Sequence, residues 1–448
     1  GADVIVTVDC GINSVEDAQV ARSLGLELIV TDHHIPGGSL PEATAIVHPA
    51  LPGTSYPFPD LCGAGVAFKL AWALCQQRHG SEKLPEPMRN YLLSAIGLAA
   101  IGTIADVVPL LDENRILVTH GLNLIPRFGN PGLRHLMALC GLSEKPRLDA
   151  EDIAFLLGPR LNAAGRLGQA QLGVELLTVE KEDRAAALAN YIDKLNKSRD
   201  SLDRSILRSA TKQLNQDFDV ANEPAIVLAD SDWHAGIIGI VAGRLAEKFH
   251  RPTVLFSIDR MGNSPATGSA RSAGDVDLLT AIHHCREHLV KYGGHRAAAG
   301  LSIEAEKIDA FREAFCQQIL QQASPEELIP ELDIDAEARL SQLTLHTLSE
   351  LEKLAPFGQG NPRPVMCASR VKLARQPKTM GKEDRHLDLQ LMQQDFRIRA
   401  VGFGKSEWIE ELSNTNQIFD FAFKPVINEF RGRRNVELHL IDYRRSTN

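Results

Sequence analysis

The sequence predicts an α/β protein with a parallel-sheet domain first, a long connecting helix, a smaller α/β domain and a C-terminal β-barrel. Three observations carry this. Two apolar runs, Val4–Val8 and Leu26–Val30, flank a short helical pattern. Residues 181–216 form one long polar helical stretch. Period-two alternation dominates only after residue 380, in His386–Leu391, Phe396–Val401 and Val436–Ile441, with Gly and Asn turns between.

The first two runs read as buried parallel strands. Between them Ser14 can cap a helix, Glu16 and Asp17 oppose its dipole, and Gly25 suits a left-handed stop. In such a β-α-β unit both strands point the same way. Asp9 and Thr31-Asp32-His33-His34 therefore emerge at one carboxyl edge, where open α/β sheets hold ligands. The pattern continues through Ala45–Pro49, a helix near 65–77 and an apolar helix, Tyr91–Ile104, that ends in Ala105-Asp106. Gly158–Arg166 is too rich in glycine and fixed polar groups for plain helix.

In the stretch 181–216, Leu188, Ile192, Leu195, Leu202 and Ile206 form a narrow stripe that breaks at Arg199. At 1.5 Å per residue it spans roughly 50 Å, which suits a connector, with a coiled-coil arm as the alternative. The second α/β domain has strands at Ala225–Ala229 and Pro252–Ser257, a short strand or turn at Gly268–Ser272, and helices at Gly236–Phe249 and around Leu278–Tyr292. The expected boundaries are 1–178, 179–219, 220–325 and 326–448. An oligonucleotide-binding (OB) barrel is the natural candidate for the last.

With 448 residues, 44% hydrophobic and 23% charged, the chain has the composition of a soluble globular protein of two to four domains. No apolar run is expected to cross a bilayer, and no secretory signal opens the chain. Seven scattered cysteines without a Cys-x-x-Cys pair argue for reduced, cytoplasmic thiols. The net charge of −9 excludes a wholly basic surface but not a local nucleic-acid groove. The chain opens directly on a strand and without Met, so preceding strands are expected.

Asp9, Asp32, His33, His34 and Asp106 make a metal-binding inventory suited to Mn²⁺ or Mg²⁺, and less clearly to Zn²⁺. Asp106 follows an uncharged apolar run, where an ionised carboxylate is costly unless paired or metal-bound. Two bridged metals could drive in-line displacement at phosphorus, though that chemistry wants more carboxylates. Arg160, Asn162 and Arg166 suit phosphate; the alternative is Arg paired to acidic neighbours. Gly294 and His295, within Gly293–Gly300, allow close backbone approach and a donor to phosphate, or simply a tight turn. Ser269 and Arg271 alternate on a strand and so face one side, a small anion pocket. Trp233–Gly236 opens a helix, for anion binding or capping. Lys424, Arg431, Arg433 and Arg434 lie around Phe430, as single-strand binding wants, or form a solvated basic hairpin.

In this order, Asp32-His33-His34, Gly102–Asp106, Gly158–Arg166, Trp233–Arg244, Gly293–Gly300 and Pro356–Pro362 resemble the DHH phosphoesterase superfamily. They are similar to its single-strand-specific exonucleases rather than to its shorter members, over essentially the whole chain. The resemblance implies a Mn²⁺- or Mg²⁺-dependent phosphodiesterase that degrades single-stranded DNA 5′→3′ in recombination and repair. It implies Asp9, His33 and Asp106 as metal ligands, with Asp32 and His34 completing the catalytic site. Arg160, Asn162, Arg166 and His295 would hold phosphates, and Ser269 with Arg271 the 5′-phosphate end. The second α/β domain would be the DHH-associated domain.

A helicase and a single-strand-binding protein are partners that the same resemblance implies; a monomer that meets no membrane is expected beside them. That superfamily's Asp-x-Asp pair on a preceding strand is absent from this chain, which is therefore expected to be impaired alone. Two other functions are a phosphodiesterase of short oligonucleotides or cyclic dinucleotides, and a non-catalytic replication scaffold. The barrel argues against the first, and the standing Asp9, His33 and Asp106 against the second.

Overall fold

The computed structural model describes residues 1–446 except 82, 128, 146, 218–222, 324–327, 330, 414–416 and 431. The chain forms two compact units: Gly1–Phe128 with Glu144–Gly158 and Leu332–Asn448, and Gly129–Ser143 with Pro159–Glu331.

The first unit opens with β1 (Val4–Val8), α1 (Val15–Ser23), β2 (Glu27–Thr31) and β3 (Ala45–Val47), a parallel sheet in that strand order. Gly25 adopts the left-handed conformation expected of it, with φ 70°. Ser14 sits at the helix start, but its side chain makes no capping bond. One expectation fails. β1 is an edge strand, and Val4, Ile5, Val6 and Val8 are exposed, because among the described residues it pairs only with β2.

Three helices follow: α2 (Gly63–His79), α3 (Glu86–Ala105) and α4 (Asp112–Leu124). Contrary to expectation, α3 is long and apolar enough to cross a membrane. Leu92, Gly97, Ala99, Ala100, Ile101, Thr103 and Ile104 of this helix are instead buried in the protein. Small residues let its neighbours close in. A Cβ on Gly102 would stand 2.4 Å from that of Ala64, and one on Gly121 2.3 Å from that of Ala100. A turn at Ala150–Asp152 then runs into a π-helical turn, Ile153–Leu157.

The second unit contains α5 (Pro131–Leu139), α6 (Gly158–Arg166, from its second residue), α7 (Ala170–Thr178) and α8 (Glu182–Asp217). The stretch 158–166 is thus regular helix, and the irregularity expected there lies one turn earlier, in the π turn. The 36 residues of α8 lie wholly in this unit. Its apolar face buries Leu188 and Ile192, then Ile206, Ala210 and Leu214, while Leu202 is exposed. Between these stretches, Asp193, Asn196 and Asp203 are buried.

A mixed five-stranded sheet follows, in the order β4 (Ile226–Asp230), β5 (Thr253–Ser257), β6 (Ala266–Arg271), β8 (Ala298–Ile303), β7 (Leu289–His295). With it come α9 (Ala235–Phe249), α10 (Leu278–His284) and α11 (Ile308–Gln322). The helix expected over 278–292 stops at His284, because residues 289–295 pair with β8 instead. Phe311, between Phe256 at 5.7 Å and Phe315 at 5.5 Å, anchors the core.

The barrel belongs to the first unit. After β9 (Ala336–Glu337) come β10 (Met366–Leu373), β11 (Lys378–Met380), β12 (His386–Gln393), β13 (Phe396–Gly402), β14 (Phe419–Phe430) and β15 (Arg433–Arg445). β12, β13, β15, β14 and β10 pair in turn, and β10 returns to β12, closing a five-stranded ring. Strand alternation puts Leu387, Leu389 and Leu391 inside with Phe419, Phe421 and Phe423.

Candidate metal centre and phosphate-binding residues

Register places the first site. Val8 pairs with Thr31, so Asp9 and Asp32 leave adjacent strand ends together. Asp9 takes φ 64°, a left-handed conformation that Asp tolerates better than most residues. Its carboxylate lies over Gly63, the first residue of α2; a Cβ there would be 2.2 Å from Asp9 Oδ1. Only glycine fits, and the helix N-terminus favours the negative charge. Gly63 was missed at the sequence level, although Cys62-Gly63-Ala64-Gly65 is a visible small-residue run.

His33 Nε2 lies 3.1 Å from Asp9 Oδ1 and 3.5 Å from Asp106 Oδ2. That nitrogen is buried, and neither carboxylate meets it in hydrogen-bond geometry. Contact with Asp9 raises the His33 pKa above its ordinary value, with the Asp106 charge adding to the rise. Burial pushes the Asp106 carboxyl up, and Asp9 adds to this against the opposing pull of His33.

Ligating atoms of Asp9, His33 and His34 all lie within 4.8 Å of one another. An orphaned imidazole nitrogen facing two carboxylates is a donor set that fits a divalent cation taking oxygen and nitrogen ligands.

Asp32 is turned inward, only 1% exposed. Its Oδ2 accepts the Ile12 N–H at 2.9 Å, and Oδ1 accepts the N–H groups of His33 at 2.7 Å and His34 at 3.2 Å. Burial alone would raise its pKa; these bonds and the His34 ring outweigh it and bring it to about 2. An ionised Asp32 only accepts, so His34 Nδ1, 2.7 Å away, is the donor, and the Nε2 lone pair is left outward. His48, unremarked in the sequence, accepts the Ala50 N–H on Nδ1 and donates Nε2–H to the His34 carbonyl at 2.8 Å.

In the second unit the expected Arg160–Arg166 group divides. Arg160 Nε bonds Asp193 Oδ1 at 2.9 Å, and Lys197 holds the other oxygen at 2.7 Å. Asn162 is exposed. Arg166 instead joins Arg271: burial lowers both pKa values, and each feels a neighbouring guanidinium, Arg199 for Arg166 and Arg166 for Arg271. Arg199 is a cation that sequence reasoning saw only as a break in a stripe.

Arg271 Nη1 donates to Ser269 Oγ at 3.1 Å, so the two do share a face. Gly239 of α9 packs on them; a Cβ there would be 2.8 Å from Ser269 Oγ and 2.9 Å from Arg271 Nη2. At the head of α9, His234 Nδ1 accepts the Gly236 N–H at 3.0 Å, a capping role.

Gly294 has no room for a side chain, since at φ 150° a Cβ would meet the Ala298 carbonyl at 2.4 Å. His295 pairs with Ala298, which pairs with Arg271. His295 and Arg271 therefore stand on one sheet face, two strands or about 10 Å apart. In the barrel, Arg433 and Arg434 are exposed at the start of β15, opposite Phe430 and Glu429. Lys424 lies six residues from Phe430, about 20 Å along β14, so it does not join them. Arg431 lies outside the described residues.

Residues 2–96 match the N-terminal domain of the DHH family, 222–321 the DHHA1 domain and 334–442 the RecJ OB domain, so the class is that of DHH proteins carrying an OB module. The single-stranded-DNA-specific exonuclease RecJ of Bacillus subtilis is 37% identical over 442 residues, 99% of this chain and 54% of that protein. That of Dickeya dadantii is 35% identical over 452 residues, 98% of this chain and 77% of that protein. The crystal structure of RecJ in complex with Mn²⁺ from Thermus thermophilus matches with a TM-score of 0.83 at 33% identity, covering 100% of this chain and 62% of that one. The chain belongs to the RecJ family. It spans little more than half the length of the Bacillus relative.

Proposed function

We propose that this chain carries the catalytic apparatus of a divalent-metal-dependent exonuclease that degrades single-stranded DNA from its 5′ end, in recombination and repair. One observation carries the reading: the buried Nε2 of His33, with no hydrogen-bond partner among the described residues, faces the carboxylates of Asp9 at 3.1 Å and Asp106 at 3.5 Å. Family membership supports it, as does the Mn²⁺ in the Thermus RecJ structure.

Asp9, His33 and Asp106, with His34 Nε2 beside them, would hold Mn²⁺ or Mg²⁺. Such ions, when bound, polarise phosphoryl oxygens and lower the pKa of water. Asp32 fixes the His33–His34 turn and the His34 tautomer. Ser269, Arg271 and Arg166 bind the terminal phosphate, and His295 donates to a phosphate on the same sheet face. Asn162 and the backbone at Gly294 contact the strand, with Arg160 held by Asp193. Arg431, Arg433 and Arg434 attract incoming strand to the hairpin end of the barrel, and Lys424 does so separately, farther along β14. The working division is 1–178, 179–219, 220–325 and 326–448, in a cytoplasmic monomer that meets a helicase and a single-strand-binding protein.

The test is nucleotide release from a 5′-phosphorylated, uniformly labelled single strand with Mn²⁺ present and then chelated, beside a dinucleotide substrate. Release from the long strand that stops on chelation supports the reading and overturns the expectation that the ligands present are too few; bound strand without release supports a site impaired for want of the Asp-x-Asp pair. Metal-independent release, or cleavage of the dinucleotide alone, overturns it.

A further inference from the structure

We infer that the loop Leu354–Asn361 clamps the turn that follows Asp106 and thereby holds the Asp106 carboxylate in place, so that the C-terminal module is mechanically part of the metal centre. The inference rests on the reading of Asp106 as a metal ligand.

Asp106 ends α3, its N–H bonded to the Gly102 carbonyl at 2.9 Å. Val107 then adopts φ 61°, a left-handed conformation that a β-branched side chain strongly disfavours. Val107 is 66% exposed, so its own packing does not hold it there. Asp112, at φ 38°, closes the same turn. Such a backbone persists only where its surroundings over-determine it.

The surroundings come from two sides. Leu110 is buried and donates its N–H to the Gln359 carbonyl at 2.7 Å. Gly358 lets the loop close onto it, because a Cβ there would stand 2.7 Å from Leu110 Cδ1. Arg115 Nη2 donates to the carbonyls of Leu354 at 2.7 Å and Ala355 at 3.0 Å. From the other side, the buried Asn114 donates to Pro109 O at 3.0 Å and Asp60 O at 2.7 Å. Asp60 lies three residues before Gly63, on which Asp9 rests. One network thus ties together the supports of both carboxylates.

The loop is braced for this. Asn361 Nδ2 donates back to the carbonyls of Leu354 at 2.9 Å and Pro356 at 2.8 Å. The Arg363 guanidinium lies 4.4 Å from the Phe357 ring centroid. Groups that only orient a metal ligand still set its affinity, typically by about 10–100-fold.

The experiment compares the chain with Arg115→Ala, Gly358→Val and Arg115→Lys, reading Mn²⁺ affinity by calorimetry and amide exchange at Leu110. The expected result for the first two is Mn²⁺ binding weaker by about 10–100-fold, with faster exchange at Leu110 and unchanged binding of single strand. Arg115→Lys, which still donates to the carbonyls, recovers most of the loss. Lower thermal stability with Mn²⁺ affinity unchanged means that the loop only holds the fold, and overturns the inference. Should Gly358→Val not fold, Arg115→Ala and its lysine rescue decide alone. If the unsubstituted chain binds no Mn²⁺ that Asp9→Ala abolishes, the metal reading itself fails and takes the clamp with it. Tight binding that the loop variants share removes only the clamp.

Discussion

The carboxylate of Asp32 accepts the Nδ1–H of His34 at 2.7 Å while three backbone N–H groups hold the same carboxylate from behind. Nothing is left of Asp32 to face substrate; its effect reaches the site through His33 and His34. Replacing Asp32 by Asn keeps the shape but makes the His34 tautomer ambiguous. We expect Mn²⁺ affinity to fall about 10–100-fold. Calorimetric titration checks this, and an unchanged affinity would mean that His34 needs no orienting partner.

Asp106 faces His33 but makes no hydrogen bond to it. Asp106→Ala should weaken Mn²⁺ binding and abolish whatever metal-dependent nucleotide release the unsubstituted chain shows, while single-strand binding, measured by fluorescence anisotropy, stays nearly unchanged. A parallel loss of binding would make the residue structural.

The Ser269–Arg271 pair, backed by Arg166, predicts recognition of a terminal phosphate. A hydrogen bond to a charged group contributes about 1.5–3 kcal/mol, so Ser269→Ala with Arg271→Gln should erase roughly a 10–100-fold preference for 5′-phosphorylated over 5′-hydroxyl strands. Competition binding with the two strands reads the ratio. A preference that survives both changes places the terminal phosphate elsewhere.

Arg433 and Arg434 are exposed at the end of the β14–β15 hairpin. If each meets one phosphate of a single strand, replacing both by Ala should reduce the slope of log K against log salt by about 1.4. An unaltered slope removes them from the DNA path.

Asp420 in the barrel accepts the Arg370 N–H at 3.0 Å, Arg444 Nε at 3.0 Å and the Ser446 hydroxyl. Burial alone would raise its pKa; the hydroxyl, the backbone N–H and the guanidinium together lower it. A carboxylate depressed in the fold adds stability above its ordinary range, and that stability is lost as pH falls through the folded value. The stability gap between the chain and Asp420→Asn should therefore be widest near neutrality and narrow below about pH 4. Urea melts at several pH values test this, and a constant gap would show that the charge contributes nothing.

Much of the fold was legible from local signals. Parallel strand direction, the left-handed Gly25, the long α8 and the barrel's alternating leucines all follow from period, caps and turn residues. Two misreadings share a cause. Val4–Val8 has the composition of a buried strand, but burial depends on what lies beside it, and among the described residues β1 pairs only with β2. Residues 289–295 could extend α10, but pairing with β8 satisfies their backbone instead.

By itself the sequence determined which groups share the carboxyl edge of the first sheet, because parallel strands leave no choice of direction: Asp9 and Asp32-His33-His34 had to emerge together. Tertiary structure alone decided which charged groups stay available. Arg160 and Arg166 stand six residues apart on one helix with like chemistry. The first is bound to Asp193, whereas the second lies among Arg199 and Arg271. The state of a charge is set by its burial and its neighbours, and those neighbours come from distant parts of the chain.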